Sequence, residues 1–290
     1  MKLSDKIAIV TGGGRGIGKA IALAFAREGA DVVVAARTFP EIAQTAAEIQ
    51  ALGRRSLAVK ADVSIWDEVN YLVEETLRAF GKIDILVNNA GIQGPIGLLV
   101  ENDIDEWINT IRVNLVGTFF CIKAVLPHMM KRKQGKIINL SGGGATSPRP
   151  RFTAYAASKA AIVRLTETVA EEVRPFNIQV NAIAPGAVNT RMLEEILAAG
   201  EAAGEDELDQ ARRRLAEGGT PPERAAELAV FLASSESDNI TGKLISAIYD
   251  DWQNWDKIGF QLADNDVYTL RRVDPYTLCK LNPNWILPHK

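Results

Sequence analysis

The 290-residue chain predicts an α/β fold, a doubly wound parallel sheet flanked by helices. Three observations carry that expectation. The apolar runs are short and continuous rather than alternating, as in strands buried on both faces. Helical segments separate them, which makes successive strands parallel with right-handed crossovers. Five glycines between residues 12 and 18 stand between the first run and the first helix, where such a sheet binds its ligand.

The elements follow in order. Residues 6–11 form the first strand, and a helix over 19–28 stops at Gly29. In the intervening Gly12-Gly-Gly-Arg-Gly-Ile-Gly18, glycines admit a pyrophosphate close to the backbone and the helix N-terminus attracts its charge. Gly12, Arg15, Gly16, Ile17 and Gly18 are therefore cofactor candidates. Residues 31–36 form the second strand, ending at Arg37-Thr38 with no carboxylate for a ribose 2′-hydroxyl. Arg15 and Arg37 could instead clamp a 2′-phosphate. This favours NADP(H), with NAD(H) possible.

A helix over about 40–52 leads to a third strand near 56–61 and then Asp62-Val63. Asp62 could hold an adenine amino group at the strand end, or equally cap the helix over 66–80. The fourth strand, 83–88, runs into Asn88-Asn89-Ala90-Gly91, whose amides need partners. A long helical stretch over about 105–131 contains Asn114, a poor helix-interior residue that marks a kink or a side chain with a role. The fifth strand, 136–141, opens into a glycine-rich loop, 142–150. An alanine-rich helix then sets Tyr155 and Lys159 one turn apart on one face. The ammonium is expected to lower the phenol pKa from about 10, equipping Tyr155 for proton transfer. A sixth strand, 178–184, ends at Pro185-Gly186, and a seventh lies near 243–247.

Composition narrows the function. A net charge of −3 without a basic block gives no expectation of a nucleic-acid or membrane partner. No apolar run approaches the roughly 20 residues of a span, and the N-terminus lacks a signal-like core. Cys121 and Cys279 are far apart and suggest no disulfide framework, consistent with the cytoplasm. With His128 and His289 the only histidines and no cysteine cluster, no metal site is expected.

Together, Thr11-Gly-Gly-Gly-Arg-Gly-Ile-Gly18, Asp62, Asn88-Asn-Ala-Gly91, Asn114, Tyr155-x-x-x-Lys159 and Pro185-Gly186-x-Val188-x-Thr190 resemble the short-chain dehydrogenase/reductase family over residues 1 to about 247. The resemblance implies a Rossmann fold with seven parallel strands ordered 3-2-1-4-5-6-7, and hydride transfer between a nicotinamide and an alcohol or carbonyl. It assigns Tyr155 as general acid/base and Lys159 as its tuner and a holder of the nicotinamide ribose. Asn114 would anchor a water relay. Asn89, Ala90 and Gly91 would line the cofactor, and Pro185, Gly186, Val188 and Thr190 would flank the nicotinamide amide. It also implies a homo-oligomer, dimer or tetramer.

Two departures stand out. The family's usual catalytic serine position is Gly142; Ser141 is the nearest hydroxyl and is expected to be brought in by a bulge of the glycine loop. Gly142 also keeps open a non-catalytic dinucleotide sensor on the same fold. Residues 251–290 form the second departure, an extension beyond a single domain over 1–250. Trp252, Trp255, Phe260, Tyr268, Tyr276 and Trp285 make it aromatic-rich, so it is expected to be ordered, packing across a subunit interface and helping to close a substrate site. Residues 191–219 have the length and glycine joints of a lid over the substrate.

Overall fold

The computed structural model describes residues 1–255, 262 and 265–274. Among these, seven strands form one sheet in the order β3-β2-β1-β4-β5-β6-β7, and every neighbouring pair is parallel. They are β1 (Ile7–Thr11), β2 (Asp31–Ala36), β3 (Ser56–Lys60), β4 (Ile85–Asn88), β5 (Gly135–Leu140), β6 (Ile178–Ala184) and β7 (Leu244–Ser246). β1 pairs with β2 on one side and β4 on the other, so the winding reverses there. The crevice at that reversal, beyond the strands' C-terminal ends, is where a ligand fits.

The apolar runs are continuous because both faces of the sheet are covered. On one face α1 (Gly16–Arg27), α2 (Phe39–Ala51) and α9 (Pro222–Ala233) bury Ile21, Phe25, Ile42, Ile49, Leu228 and Phe231. On the other, α3 (Trp66–Phe80), α5 (Gly117–Arg132) and α6 (Thr153–Val173) bury Val69, Leu72, Val125, Met129 and Val169. Between β6 and α9 lie α7 (Arg191–Ala199) and α8 (Glu205–Glu217).

The long helical stretch is not one regular helix. α4 (Ile104–Ile111) passes into a π-helical turn, Arg112–Val116, before α5 continues. Such turns bulge by one residue. Asn114 sits in this one, fully buried. Contrary to the sequence expectation, Ile104–Arg132 is long and apolar enough, by length and composition, to cross a membrane. Here its Val113, Cys121, Ile122, Val125 and Met129 belong to the buried core.

The described part of the C-terminal extension packs on the chain's own body. Trp252 and Trp255 are buried in the α1–α2–α9 core, with Trp252 against Phe231 and Trp255 against Tyr268, ring centroids 5.8 and 4.6 Å apart. The backbone of Tyr268 caps the outer edge of β7, its carbonyl accepting from Leu244 N at 2.7 Å. Lys243 Nζ donates to the carbonyls of Asn265 and Val267, while Glu167 accepts from Leu270 N and Arg271. These contacts join the described part of the extension to β7 and α6 of its own chain. Arg271 pairs with Glu167 and Asp266. Phe260, Tyr276, Cys279, Trp285 and His289 lie outside the described residues.

Candidate active site

The glycine loop is held by a small polar knot. Thr11 Oγ1, at the end of β1, accepts from the amides of Asn89 and Ala90 at 3.1 Å each. Asn89 Nδ2 donates to the carbonyls of Thr11 and Gly12 at 3.0 and 3.1 Å. Asn88 Nδ2 donates separately, to Asn139 Oδ1 at 2.8 Å, while its own Oδ1 is buried with no hydrogen-bond partner among the described residues. Gly12 is left-handed with φ 63°, and a Cβ on Gly18 would lie 2.3 Å from Gly12 O, so neither position tolerates a side chain. α1 begins at Gly16, and its first amides have no intrahelical acceptor. They face a cleft of about 690 Å³ to which Gly12, Arg15, Gly16, Ile17, Asn89, Ala90, Gly91, Thr190 and Arg37 contribute. Gln93, 2% exposed, also lines it, and its Nε2 has no hydrogen-bond partner among the described residues. A glycine cradle, free helix-terminal amides and an orphaned buried donor fit a phosphate-linked, amide-bearing cofactor.

A second, smaller hollow adjoins the cleft at the end of β2. Ala36, Arg37, Thr38, Asp62 and Val63 line it, with Arg15, Ala90 and Gly91. Both arginines meet carboxylates there: Arg15 Nη1 lies 3.3 Å from Glu41 Oε1, and Arg37 Nη1 lies 3.9 Å from Asp62 Oδ2. Glu41, on the first turn of α2, was not singled out in the sequence because it reads as an ordinary surface acid. Asp62 does not cap α3. Its Oδ1 instead accepts from the backbone and hydroxyl of Ser64, and Ile65 is the N-cap.

α6 delivers Tyr155 and Lys159 on one face, both nearly inaccessible. Their electrostatics differ from the sequence expectation. Lys159 Nζ donates to Leu140 O at 2.8 Å, and burial lowers its pKa to about 8. Burial also pushes the Tyr155 pKa above its ordinary value, and the cation that opposes this is Arg149, not Lys159. Ser141 Oγ points into α6, donating to Lys159 O at 3.2 Å. The backbone of Gly142 occupies the place beside the phenol: a Cβ there would lie 3.0 Å from Tyr155 Oη. The expected bulge therefore does not bring the Ser141 hydroxyl to Tyr155.

The π-helical turn aims the Asn114 amide at the same centre. Its Oδ1 accepts from Ile92 N at 2.8 Å, and its Nδ2 donates to Ile92 O and Ser158 Oγ at 2.9 and 3.1 Å. Ser158 in turn donates to Tyr155 O at 2.7 Å. Gly91 fits between, since a Cβ there would be 3.1 Å from Asn114 Oδ1 and 3.8 Å from Lys159 Nζ. Asn114 thus clamps the chain after β4 to α6.

α7 and α8 cover this centre. Leu193, Ile196, Ala203 and Ala211 bury Phe152 and Tyr155, and Tyr155 is not among the residues lining the cleft. Gly186 turns with φ 85° and Val188 N donates to Gly186 O at 3.1 Å, carrying the chain from Pro185 into the cover. Thr190 is the N-cap position of α7, and its Cγ2 approaches the Gly16 position across the cleft. Arg149, on the glycine-rich loop, and Glu207, on α8, form a two-pronged ion pair. Nothing in sequence spacing links two residues 58 apart.

The family model described as short chain dehydrogenase matches residues 6–200. The 3-oxoacyl-acyl-carrier-protein reductase of Thermotoga maritima is 38% identical over 245 residues, covering 84% of this chain and 97% of that protein. The short chain dehydrogenase/reductase astE of Aspergillus oryzae is 39% identical over 246 residues, covering 84% and 94%. Among solved structures, NAD+-bound xylitol dehydrogenase superposes with a TM-score of 0.79 at 28% identity, covering 85% of this chain and 98% of that one. With glycine loop, Asn114, Tyr155 and Lys159 converging on one crevice of a seven-stranded parallel sheet, the chain belongs to the short-chain dehydrogenase/reductase family, as a nicotinamide-dependent oxidoreductase.

Proposed function

We propose that this protein is an NADP(H)-preferring oxidoreductase that interconverts a secondary alcohol and a ketone, with Tyr155 as general acid and base. The observation that carries the reading is the buried Tyr155, set on one helix with Lys159 and tied through Ser158 to Asn114, beside the glycine-lined crevice. When bound, a nicotinamide supplies or accepts the hydride. The chain's own residues do the rest.

The amides at the start of α1 hold phosphate, and Arg15 and Arg37 reach a 2′-phosphate once they leave Glu41 and Asp62. Thr38, Asp62 and Val63 line the adenosine side, while Asn89, Ala90, Gly91, Pro185, Gly186, Val188 and Thr190 serve the nicotinamide side. Burial keeps the Tyr155 phenol protonated, the form that donates to a carbonyl oxygen. Proton return in the opposite direction is helped by the Arg149 cation, and Lys159 holds the nicotinamide ribose. The hydrogen bond that the family's serine hydroxyl would give the substrate oxygen has no side-chain source at Gly142. Residues 1–250 form the cofactor-binding unit, residues 191–219 its cover, and the protein works as a homo-oligomer in the cytoplasm.

The test is a panel of secondary alcohols and ketones followed at the nicotinamide absorbance, with Tyr155→Phe as the control. Turnover should depend on Tyr155, while cofactor affinity stays within about twofold, since the hydroxyl acts only on the reacting oxygen. Undiminished activity in Tyr155→Phe would remove its proton-transfer role. Tight cofactor binding without turnover of any substrate would instead favour the sensor that Gly142 keeps open.

A further inference from the structure

We infer that the substrate carries a carboxylate a few bonds from its carbonyl, and that Arg149 recognises it by exchanging Glu207 for it. The inference rests on Tyr155 being the proton-transfer group. Arg149 Nε and Nη2 hold Glu207 Oε1 and Oε2 at 2.7 and 2.9 Å, the fork geometry that guanidinium and carboxylate prefer. The same guanidinium lies 4.0 Å over the Phe152 ring and 5.6 Å from the centre of the Tyr155 ring. It is thus the cation nearest to the reacting phenol that is not tied up on backbone, Lys159 being bonded to Leu140 O.

Space and charge point the same way. Gly142, Gly143 and Gly144 run beneath: the Arg149 stem crosses Gly143 and Gly144 while the Tyr155 hydroxyl abuts Gly142, so bulk at these positions would separate the two groups. Both partners of the ion pair are mostly covered, with side chains 16% and 24% exposed, which makes the pair costly to leave half-made. Arg214, half-buried on α8, adds a second cation that acts on Glu207. Glu207 thus feels two guanidinium charges, and pairs directly with the one beside the phenol. A second carboxylate is the complement this arrangement lacks.

The pair also joins two parts that must separate for substrate to enter. Arg149 belongs to the loop before α6, and Glu207 to the helix that hides Tyr155. An incoming carboxylate that takes over the fork releases α8 and simultaneously sets its own carbonyl near Tyr155. A neutral ketone has nothing to offer Arg149 in place of Glu207, and so must break the pair uncompensated.

The experiment uses the full chain loaded with NADP+, titrated calorimetrically with 4-oxopentanoate, 5-oxohexanoate and 6-oxoheptanoate and with the methyl ester of each. At least one acid should bind tenfold or more tightly than its ester. Glu207→Gln should tighten acid and ester alike, by severalfold, because it removes the pair that either must open, and should leave the acid's advantage over its ester in place. Arg149→Met should erase the acid–ester difference; Arg149→Lys, which keeps charge and bulk but loses the fork, should retain part of it. If no acid in the series outbinds its ester, or if Glu207→Gln weakens acid and ester alike, Arg149 and Glu207 are only a clasp and the inference is overturned. The underlying reading fails separately: selective acid binding with no turnover at the nicotinamide absorbance would sink the oxidoreductase assignment of Tyr155 while leaving the Arg149 site standing.

Discussion

Replacing Lys159 with methionine should change how the stability of the unliganded protein depends on pH. Lys159 is 4% exposed, and burial brings its pKa from 10.5 down to about 8. A folded-state pKa below the unfolded one means that the native state binds protons less readily. Above pH 10.5 the amine is neutral in both states and carries no penalty. As pH falls from 10.5 to 8, the unfolded chain takes up a proton that the folded chain resists, and native stability drops. A shift of about 2.5 units, at about 1.36 kcal/mol per unit, makes the loss about 3 kcal/mol. Methionine fills similar space and does not titrate. Its loss of the hydrogen bond to Leu140 O adds an offset that is the same at every pH. Urea unfolding followed by tryptophan fluorescence at pH 7, 8, 9 and 10 would yield the two curves. The stability difference, wild type minus variant, should rise by about 2–3 kcal/mol towards wild type over that range. Parallel curves would refute the argument, because they would mean that Lys159 is as easily protonated in the native protein as in water.

Other substitutions test neighbouring parts of the argument. Glu41→Gln removes the partner that holds Arg15; the pair is half-exposed and worth about 0.2–1 kcal/mol, so NADP(H) should bind about two- to fivefold tighter with NAD(H) unchanged, as equilibrium titration with each cofactor would show. Gly142→Ala places a methyl 3.0 Å from Tyr155 Oη and must push the phenol aside by a few tenths of an ångström. Its kcat should fall about tenfold or more at unaltered cofactor affinity, measured by steady-state kinetics beside direct binding. Trp255→Ala empties a fully packed site between the extension and the α1–α2–α9 core and should cost about 3–5 kcal/mol in urea unfolding; a loss under about 1 kcal/mol would show that the extension is not part of that core.

The order of strands and the residues around the crevice were legible because each is written locally. Continuous apolar runs announce strands covered on both faces, and a glycine loop between strand and helix can do little else. The i, i+4 spacing placed Tyr155 and Lys159 on one face correctly. What spacing cannot carry is direction in three dimensions. Ser141 is next to the glycine loop in sequence, yet strand alternation turns its hydroxyl into α6. The ammonium expected to tune Tyr155 finds a nearer acceptor in the Leu140 carbonyl, a backbone group that no side-chain pattern reveals. Arg149 with Glu207, and Arg15 with Glu41, are joined by folding across 58 and 26 residues, and each member alone looks like a solvated charge. Among the described residues of the extension, Trp252 and Trp255 are buried, in keeping with its aromatic content. Its place, against β7 and α9, depends on which apolar surface the rest of the fold leaves uncovered, and that is a property of the assembled sheet.

The π-helical turn at Arg112–Val116 has a consequence for how this chain tolerates insertions and deletions. Such a turn is an α-helix carrying one residue more than its hydrogen bonds require. Deleting a single residue from it would restore the regular i to i+4 ladder and leave a locally better helix. Because the extra residue is absorbed within one wide turn, the deletion would leave α4 and α5 facing nearly as before and change what the turn itself presents. Asn114, which lies in that turn, would swing off Ile92 and Ser158. The frame of this helix is thus fixed by the site and not by helix stability. A selection for thermal stability alone would favour length variants here that a selection for turnover would discard.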